Sequence, residues 1–219
     1  DGIAANIEAA YPGSLRLRVL ETGRPEDAPD PWRVERLAWS LLDVIDEHAA
    51  DHLLSALVEL PSGGSRFGRI RRVADLFDRY HVHRPEMIRS WTAGQDLDGT
   101  GRQLAPHHRW QPHLWRLVRA RLAAPSPPER LPGLLQQLRA GALDEELGDL
   151  PDRLMIFGLT MLPGGPGFLD LAHAVGSTRD VHLFLLEPSS TITPKVSRHL
   201  SARPPIGVRF RSEDTTADL

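Results

Sequence analysis

The sequence predicts an α/β chain in which a small parallel sheet is combined with a large helical insertion, and three observations lead to it. Residues 154–159 (LMIFGL) and 181–186 (VHLFLL) are uninterrupted apolar runs of strand length, the pattern of strands buried on both faces. The segment between them, 167–176, reads as a helix, so the three together make a βαβ unit with parallel strands and a right-handed crossover. Upstream, from Trp32 to Leu143, apolar residues recur at helical spacing in one segment after another. The domain expectation follows: 1–31 as the partial N-terminal part of the core, 32–150 as a helical insertion, 151–188 as the βαβ return, and 189–219 as a tail or linker without a clear period.

In order along the chain, residues 2–7 (GIAANI) form a short apolar run that fits a buried strand, although periodicity does not separate it from a fragment of helix. Residues 22–31 are a polar, proline-rich link. From Trp32 the pattern is helical, with Val34, Leu37, Ala38, Leu41, Leu42, Val44 and Ile45 on one broad face and Asp30 as the expected N-cap. A second helical stretch, 49–60, is closed by Pro61 and a turn at 62–65. Residues 71–85 (RRVADLFDRYHVHRP) make an amphipathic helix running into a proline stop: Val73, Leu76, Phe77 and Tyr80 form its apolar stripe, and Asp75, Asp78 and Arg79 fall on wetter faces. His81 and His83 are expected to alternate across an extended pre-proline segment. A short helix over 85–93, a glycine-rich loop over 94–101, a helix over 107–124, a proline cluster at 125–128 and a helix over 129–143 complete the insertion.

Composition narrows the chemistry. The chain has 219 residues, 41% of them hydrophobic, enough to bury a sizeable core. It has no cysteine, which excludes disulfides, thiolate metal sites and a cysteine nucleophile and is compatible with a reducing cytoplasm. No apolar run approaches the roughly 20 residues of a membrane span, and no signal peptide is visible. The chain opens without methionine and ends in the polar stretch 212–219, as an excised piece of a longer protein does. Its formal net charge is -3, yet residues 66–89 carry seven arginines (Arg66, Arg69, Arg71, Arg72, Arg79, Arg84, Arg89) against three acids (Asp75, Asp78, Glu86). Such an edge is either a phosphate-binding track, since the guanidinium fork matches phosphate oxygens, or a solvated helix face laced with ion pairs.

Catalytic signatures are missing. A phosphate loop of the form GxxxxGK[ST] occurs nowhere, so the 94–101 loop is not expected to cradle a nucleotide. His48 and His52 stand four apart, the spacing with which a helix shares a metal, but the HExxH frame is missing and surface or capping roles are expected. His107, His108 and His113 cluster near tryptophans without carboxylate or cysteine partners at fixed spacing. Asp43, Asp46 and Glu47, and again Asp144, Glu145 and Glu146, lie in helical stretches and read as solvated faces rather than a magnesium cluster. Asp75 and Asp78 either accept from base amino groups or pair with Arg71, Arg72 and Arg79. Trp91, Trp110 and Trp115 fall on apolar faces and read as core.

Five ordered islands go further than any single motif: residues 2–7 (GIAANI), 74–80 (ADLFDRY) with Arg84-Pro85, 110–115 (WQPHLW), Phe157-Gly158-Leu159 with Leu162-Pro163, and Val181-His182-Leu183 leading to Pro188. With them the chain resembles the RecC family, the gamma subunit of exodeoxyribonuclease V, over roughly nine-tenths of its length. The resemblance implies a helicase-like fold, that of a P-loop NTPase lacking its ATP-binding residues, and a non-catalytic subunit in a heterotrimer with a RecB-like helicase-nuclease and a RecD-like helicase. It implies double-strand break repair and recombination in the cytoplasm, handling of duplex-end and single-stranded DNA, a channel for the separated strand that reads a recombination signal, and no membrane. ATP and Mg²⁺ are then expected in the partner subunits, with no cofactor in this chain. It places Asp75, Leu76, Asp78 and Arg84 beside the translocating strand and aligns Arg130 with a further contact. Arg79 stands where some relatives have glutamine, and Tyr11 and Leu17 where some have leucine and tryptophan. The rival expectation is a protein-interaction scaffold that docks helicase and nuclease subunits without touching DNA.

Overall fold

A computed structural model describes residues 7–22, 24–25, 28–58, 65–148, 150–157 and 166–184. Its first helix, α1 (Pro12–Glu21), is one that the sequence reading passed over. Proline at its first position has a suitable φ and no N–H to leave unpaired, and Leu15, Val19 and Leu20 are buried. The expected strand at 2–7 lies, except for Ile7, outside the described residues, as does the 189–219 tail.

Helix α2 (Val34–Glu47) buries Leu37, Ala38, Leu41, Val44 and Ile45, the face its apolar period predicts. Asp30 is not its cap: Arg33 holds the N-cap position, and the Asp30 carboxylate instead accepts from the Trp32 backbone N–H at 3.0 Å. The stretch after it is less helical than its composition suggests. Turns span residues 52–54, the four-residue helix α3 (Ser55–Val58) follows, and Pro61 with the 62–65 turn lies outside the described residues apart from Ser65.

Helix α4 (Arg66–His83) starts earlier than its clearest apolar period, because the Ser65 hydroxyl accepts from the Gly68 N–H and so caps it. Its inner face is Ile70, Val73, Ala74, Phe77 and His81, with Leu76 and Tyr80 at the margins. The segment before Pro85 is therefore helical and not extended through His81 and His83. The proline restricts only its immediate neighbour, Arg84 (φ -139°, ψ 49°), which closes α4 and opens α5 (Pro85–Thr92).

A 3-10 turn at Pro106–His108 leads into α6 (Trp110–Leu122), and α7 (Pro127–Arg139) begins inside the proline cluster rather than after it. The Glu129 carboxylate accepts from the Ser126 N–H at 2.7 Å, as an N-terminal box requires. Pro132 sits within α7 and cannot donate to the Pro128 carbonyl four residues back. Arg89 Nη1 donates to that carbonyl at 2.9 Å, so the orphan acceptor is satisfied from α5.

Strands β1 (Arg153–Ile156) and β2 (Asp180–Leu183) pair in parallel, Arg153 opposite Asp180 and Ile156 opposite Leu183, with α8 (Pro166–Val175) between them in sequence. The pairing is the parallel one that the two apolar runs predict, but the strands are not buried on both faces as expected: Met155 is 57% exposed and β2 alternates between exposed and partly buried residues, while 158–159 and 185–186 lie outside the described residues. The α/β class is thus observed, with the helices of the 34–139 stretch preceding the sheet.

Two cores result. The larger joins α2, α4, α5 and α6 around Trp32, Phe77, Trp91 and Trp115. The second joins α1, α7, Leu143, Leu147 and Leu150 after it, and α8, and a small group under the sheet, Ile156, Phe168 and Ala172, continues it. In the first core the Trp32 and Trp115 indoles stack at 4.7 Å, and Phe77 meets Trp115 edge-on at 5.6 Å. Trp115→Ala is expected to destabilise the fold by about 3–5 kcal/mol in urea unfolding, since a fully buried indole leaves a cavity that four helices cannot close.

Candidate nucleic-acid interface

The outward face of α4 follows from its inner one. With Ile70, Phe77 and His81 turned into the core, Arg72, Arg79 and His83, seven and four residues apart, share the opposite stripe and are exposed. Most other arginines of the 66–89 edge are engaged: Arg66 pairs with Asp46, Arg71 with Glu35 at 3.2 Å and Asp75 at 3.5 Å, and Arg89 with Glu86. Arg69 is partnered as well. Among the described residues Arg72, Arg79 and Arg84 have no carboxylate partner; Arg72 donates only to the Gly68 carbonyl, and the Arg84 guanidinium lies 5.6 Å from the Tyr80 ring centroid. The ion-pair reading of the edge therefore holds for Arg66, Arg71 and Arg89, while Arg72, Arg79 and Arg84 are left exposed without a carboxylate among the described residues.

The residues that the resemblance singled out do not form one patch. Leu76 and Asp78 are two apart on a helix, hence about 200° around its axis, and lie on opposite flanks of the exposed stripe. Asp75 is half exposed and held by Arg71. Asp78 is partly buried with no hydrogen bond to its carboxylate among the described residues; burial pushes its pKa up, Asp75 and Glu35 add to the rise, and Arg16 and Arg33 oppose it. Arg84 is exposed at the joint between α4 and α5.

Arg130 is in a different setting. Its guanidinium pairs with Asp30 and donates to the Leu20 carbonyl at 3.2 Å, and the two side chains of the pair are only 13% and 8% exposed. It ties α7 to the end of α1 and to the link before α2. A buried pair of this kind is costly to break, because the surviving charge has no water to turn to.

Arg16 on α1 is the residue that the sequence reading missed. It donates to the His81 carbonyl at 3.2 Å and attracts the Asp78 carboxylate, which brings α1 onto the last turn of α4. Burial lowers its pKa, and the positive charge of Arg130 adds to the lowering. The signal available was Tyr11-Pro12 as a helix start with Leu15 and Val19 four apart.

The histidines are placed by packing. His81 is 1% exposed, edge-on to Trp32 at 5.5 Å and to Trp115 at 5.3 Å, and neither ring nitrogen has a hydrogen-bond partner. Burial lowers its pKa to about 3, with Arg16 and Arg130 pushing the same way, so it is neutral. His48 Nδ1 bonds the Val44 carbonyl at 2.9 Å, His52 is exposed, and His113 Nε2 lies 2.6 Å from Asp51 Oδ2. No group of three metal-ligating side chains occurs among the described residues. Trp91 and Trp115 are fully buried and Trp110 partly, as core residues.

Comparison with known proteins adds a family. A family model described as RecC, N-terminal domain, matches residues 1–204. The chain is 34% identical to the RecBCD enzyme subunit RecC of Mycolicibacterium smegmatis over 98% of its own length and 18% of that protein's. It is 35% identical to RecC of Mycobacterium tuberculosis over 88% of its length and 17% of the relative's, and 27% identical to RecC of Escherichia coli over 85% and 17%. It spans less than a fifth of the length of these relatives.

Two outcomes are expected. Arg130→Ala costs about 3–5 kcal/mol in urea unfolding by leaving Asp30 buried and unpaired, whereas Arg71→Ala, at a half-exposed pair, costs under about 1 kcal/mol. For His81 the unfolded ring binds its proton near pH 6.5 and the folded ring near 3, so stability present above 6.5 is lost as pH falls. Between pH 7 and 5 that loss is about 2 kcal/mol, and His81→Leu removes it from the difference between the two unfolding curves.

Proposed function

From the premise that the chain belongs to the RecC family, we propose that it handles DNA without catalysing a reaction, as part of a helicase-nuclease assembly acting in double-strand break repair and recombination. In this reading the region folds like a helicase domain that has no ATP-binding residues, and α4 lines a channel for single-stranded DNA. RecB-like and RecD-like subunits are its partners and supply the ATP- and Mg²⁺-dependent chemistry, in the cytoplasm. Among the described residues no helix is long and apolar enough to cross a membrane.

The observation that carries the reading is the set of exposed arginines, Arg72, Arg79 and Arg84, left without carboxylate partners in a chain of net charge -3 while their neighbours are paired. Cations left unneutralised on an acidic protein suit a polyanion, and contacts of this kind give affinity and salt dependence. Sequence discrimination needs base contacts, and the half-buried Asp78 carboxylate, which has no hydrogen bond among the described residues, can accept from amino groups.

A specific observation favours a second reading, the subunit-docking scaffold. Trp39, 60% exposed, and Phe67, 36% exposed, form a ring pair at 4.8 Å on the α2 and α4 surface, rimmed by the Arg66–Asp46 and Arg71–Glu35 pairs. An aromatic centre with a neutralised rim is the anatomy of a protein contact.

Charge reversal at Arg72, Arg79 and Arg84 in the full-length subunit is expected to leave assembly intact and to lower single-strand crosslinking about 10-fold, with the slope of log affinity against log salt reduced by about 0.7 per lost contact. Normal crosslinking after that change, with assembly lost in Trp39→Ala/Phe67→Ala, would establish the scaffold instead. Arg130 is unsuitable for such a test because reversing it puts a second negative charge beside buried Asp30.

A further inference from the structure

The glycine-rich loop after α5 has no role in the reading above, and its contacts point to one. We propose that Gly99 and Tyr80 are positioning residues that hold the Arg84 side chain between them, so that its guanidinium is a preformed contact for single-stranded DNA. The inference rests on the DNA-handling reading and adds to it how one contact is oriented.

The backbone of Arg84 is pinned from both sides: its N–H donates to the Tyr80 carbonyl at 2.9 Å to end α4, and its carbonyl accepts from the Ile88 N–H at 3.2 Å to begin α5. Its side chain then meets two surfaces. One is the Tyr80 ring, whose centroid is 5.6 Å from the guanidinium carbon. The second is Gly99, so close that a β-carbon added there would stand 3.1 Å from Arg84 Cδ and 3.4 Å from Nε.

At Gly99 the constraint on a side chain is space and not conformation. Gly94 and Gly101 have φ of +83° and +81° with nothing within 4 Å of an added β-carbon, so conformation requires them. Gly99 is outside that left-handed range, and the three atoms nearest to an added β-carbon there all belong to the Arg84 side chain.

Both surfaces are themselves fixed. The Tyr80 hydroxyl donates to Gln111 Oε1 at 3.0 Å, and Trp91 meets the ring edge-on at 5.7 Å. The same indole donates Nε1–H to the Leu97 carbonyl at 2.7 Å, which anchors the loop to the element that supports the ring. Within the loop the Asp98 carboxylate accepts from the Thr100 N–H and hydroxyl, each at 2.7 Å, and from the Arg102 N–H at 3.0 Å, while Arg116 holds Asp96 at 2.9 Å. A sequence with three glycines in eight residues is thereby made stiff. The charged head of Arg84 has no carboxylate partner among the described residues and is exposed. An arginine whose stem is ordered before binding loses less conformational freedom when it meets a phosphate or a base edge.

The test is a double-mutant cycle in the full-length subunit, assembled with its partners, with a photo-crosslinking single-stranded oligonucleotide of mixed sequence as the probe. Arg84→Ala is expected to weaken binding about 10-fold, the loss of one charge-assisted hydrogen bond. Gly99→Val displaces the stem and is expected to approach that loss, yet to add less than about 2-fold when Arg84 is already alanine, because residues that act through one contact are not additive. If Gly99→Val prevents assembly, Gly99→Ala is run through the same cycle, and Tyr80→Leu checks the other surface. Equal effects of the Gly99 change in both backgrounds, or none in either while Arg84→Ala still weakens binding, overturn the positioning role and leave the DNA reading standing. Wild-type binding by Arg84→Ala removes the contact itself, and the inference falls with it.

Discussion

The stacked indoles of Trp32 and Trp115 are the contact on which the helical part of this protein depends. They lie where α2, α4 and α6 converge, and Phe77, His81 and Trp91 are arranged around them edge to face. Rings in such an arrangement contribute about 0.5–1.5 kcal/mol per pair beyond the area they bury, and they admit few alternative packings. The rotation of α4 about its own axis is set there. Once Phe77 and His81 are inside, Arg72 and Arg79 are outside, and the cationic stripe is a geometric consequence of the core.

Charge then divides into two kinds that look alike in sequence. Arg66, Arg71 and Arg89 are spent on carboxylates of the same chain, and Arg130 on the buried Asp30. Arg16 is held at the His81 carbonyl. These fasten α1, α2 and α7 to the centre and leave Arg72, Arg79 and Arg84 to face outward. The Asp78 carboxylate is half buried, and burial raises its pKa against the pull of Arg16. Perturbed groups of that kind gather at functional surfaces, and here it adjoins the exposed stripe rather than lying on it.

Much of the architecture was legible in sequence because it follows from period alone. The two apolar runs became parallel strands, and the faces of α2 and α4 buried the residues that their spacing names, Leu37, Leu41 and Ile45 in one, Val73 and Phe77 in the other. What was misread had a second force acting on it. Asp30 suits an N-cap by type, but Arg130, distant in sequence, takes its carboxylate. His81 suits an extended pre-proline segment by position, but two indoles bury it within a helix. The prolines at 127 and 128 suit a link before a helix, yet they form the first turn of α7, and Arg89 of α5 satisfies the carbonyl that Pro132 leaves free within it.

By itself the sequence determined the α/β class, the helical nature of the long stretch before the sheet, the basic edge and, through ordered islands of residues, the family. Those properties are local or additive: each segment carries its period, its charge and its motif wherever it lies. Only the tertiary structure decided which arginines are free, because neutralisation depends on carboxylates that may be anywhere in the chain. It alone brought Gly99 against the Arg84 stem and Arg16 to the end of α4. Those are contacts between residues 15 and 65 positions apart, and a pattern of spacing within one element contains no information about what packs against it.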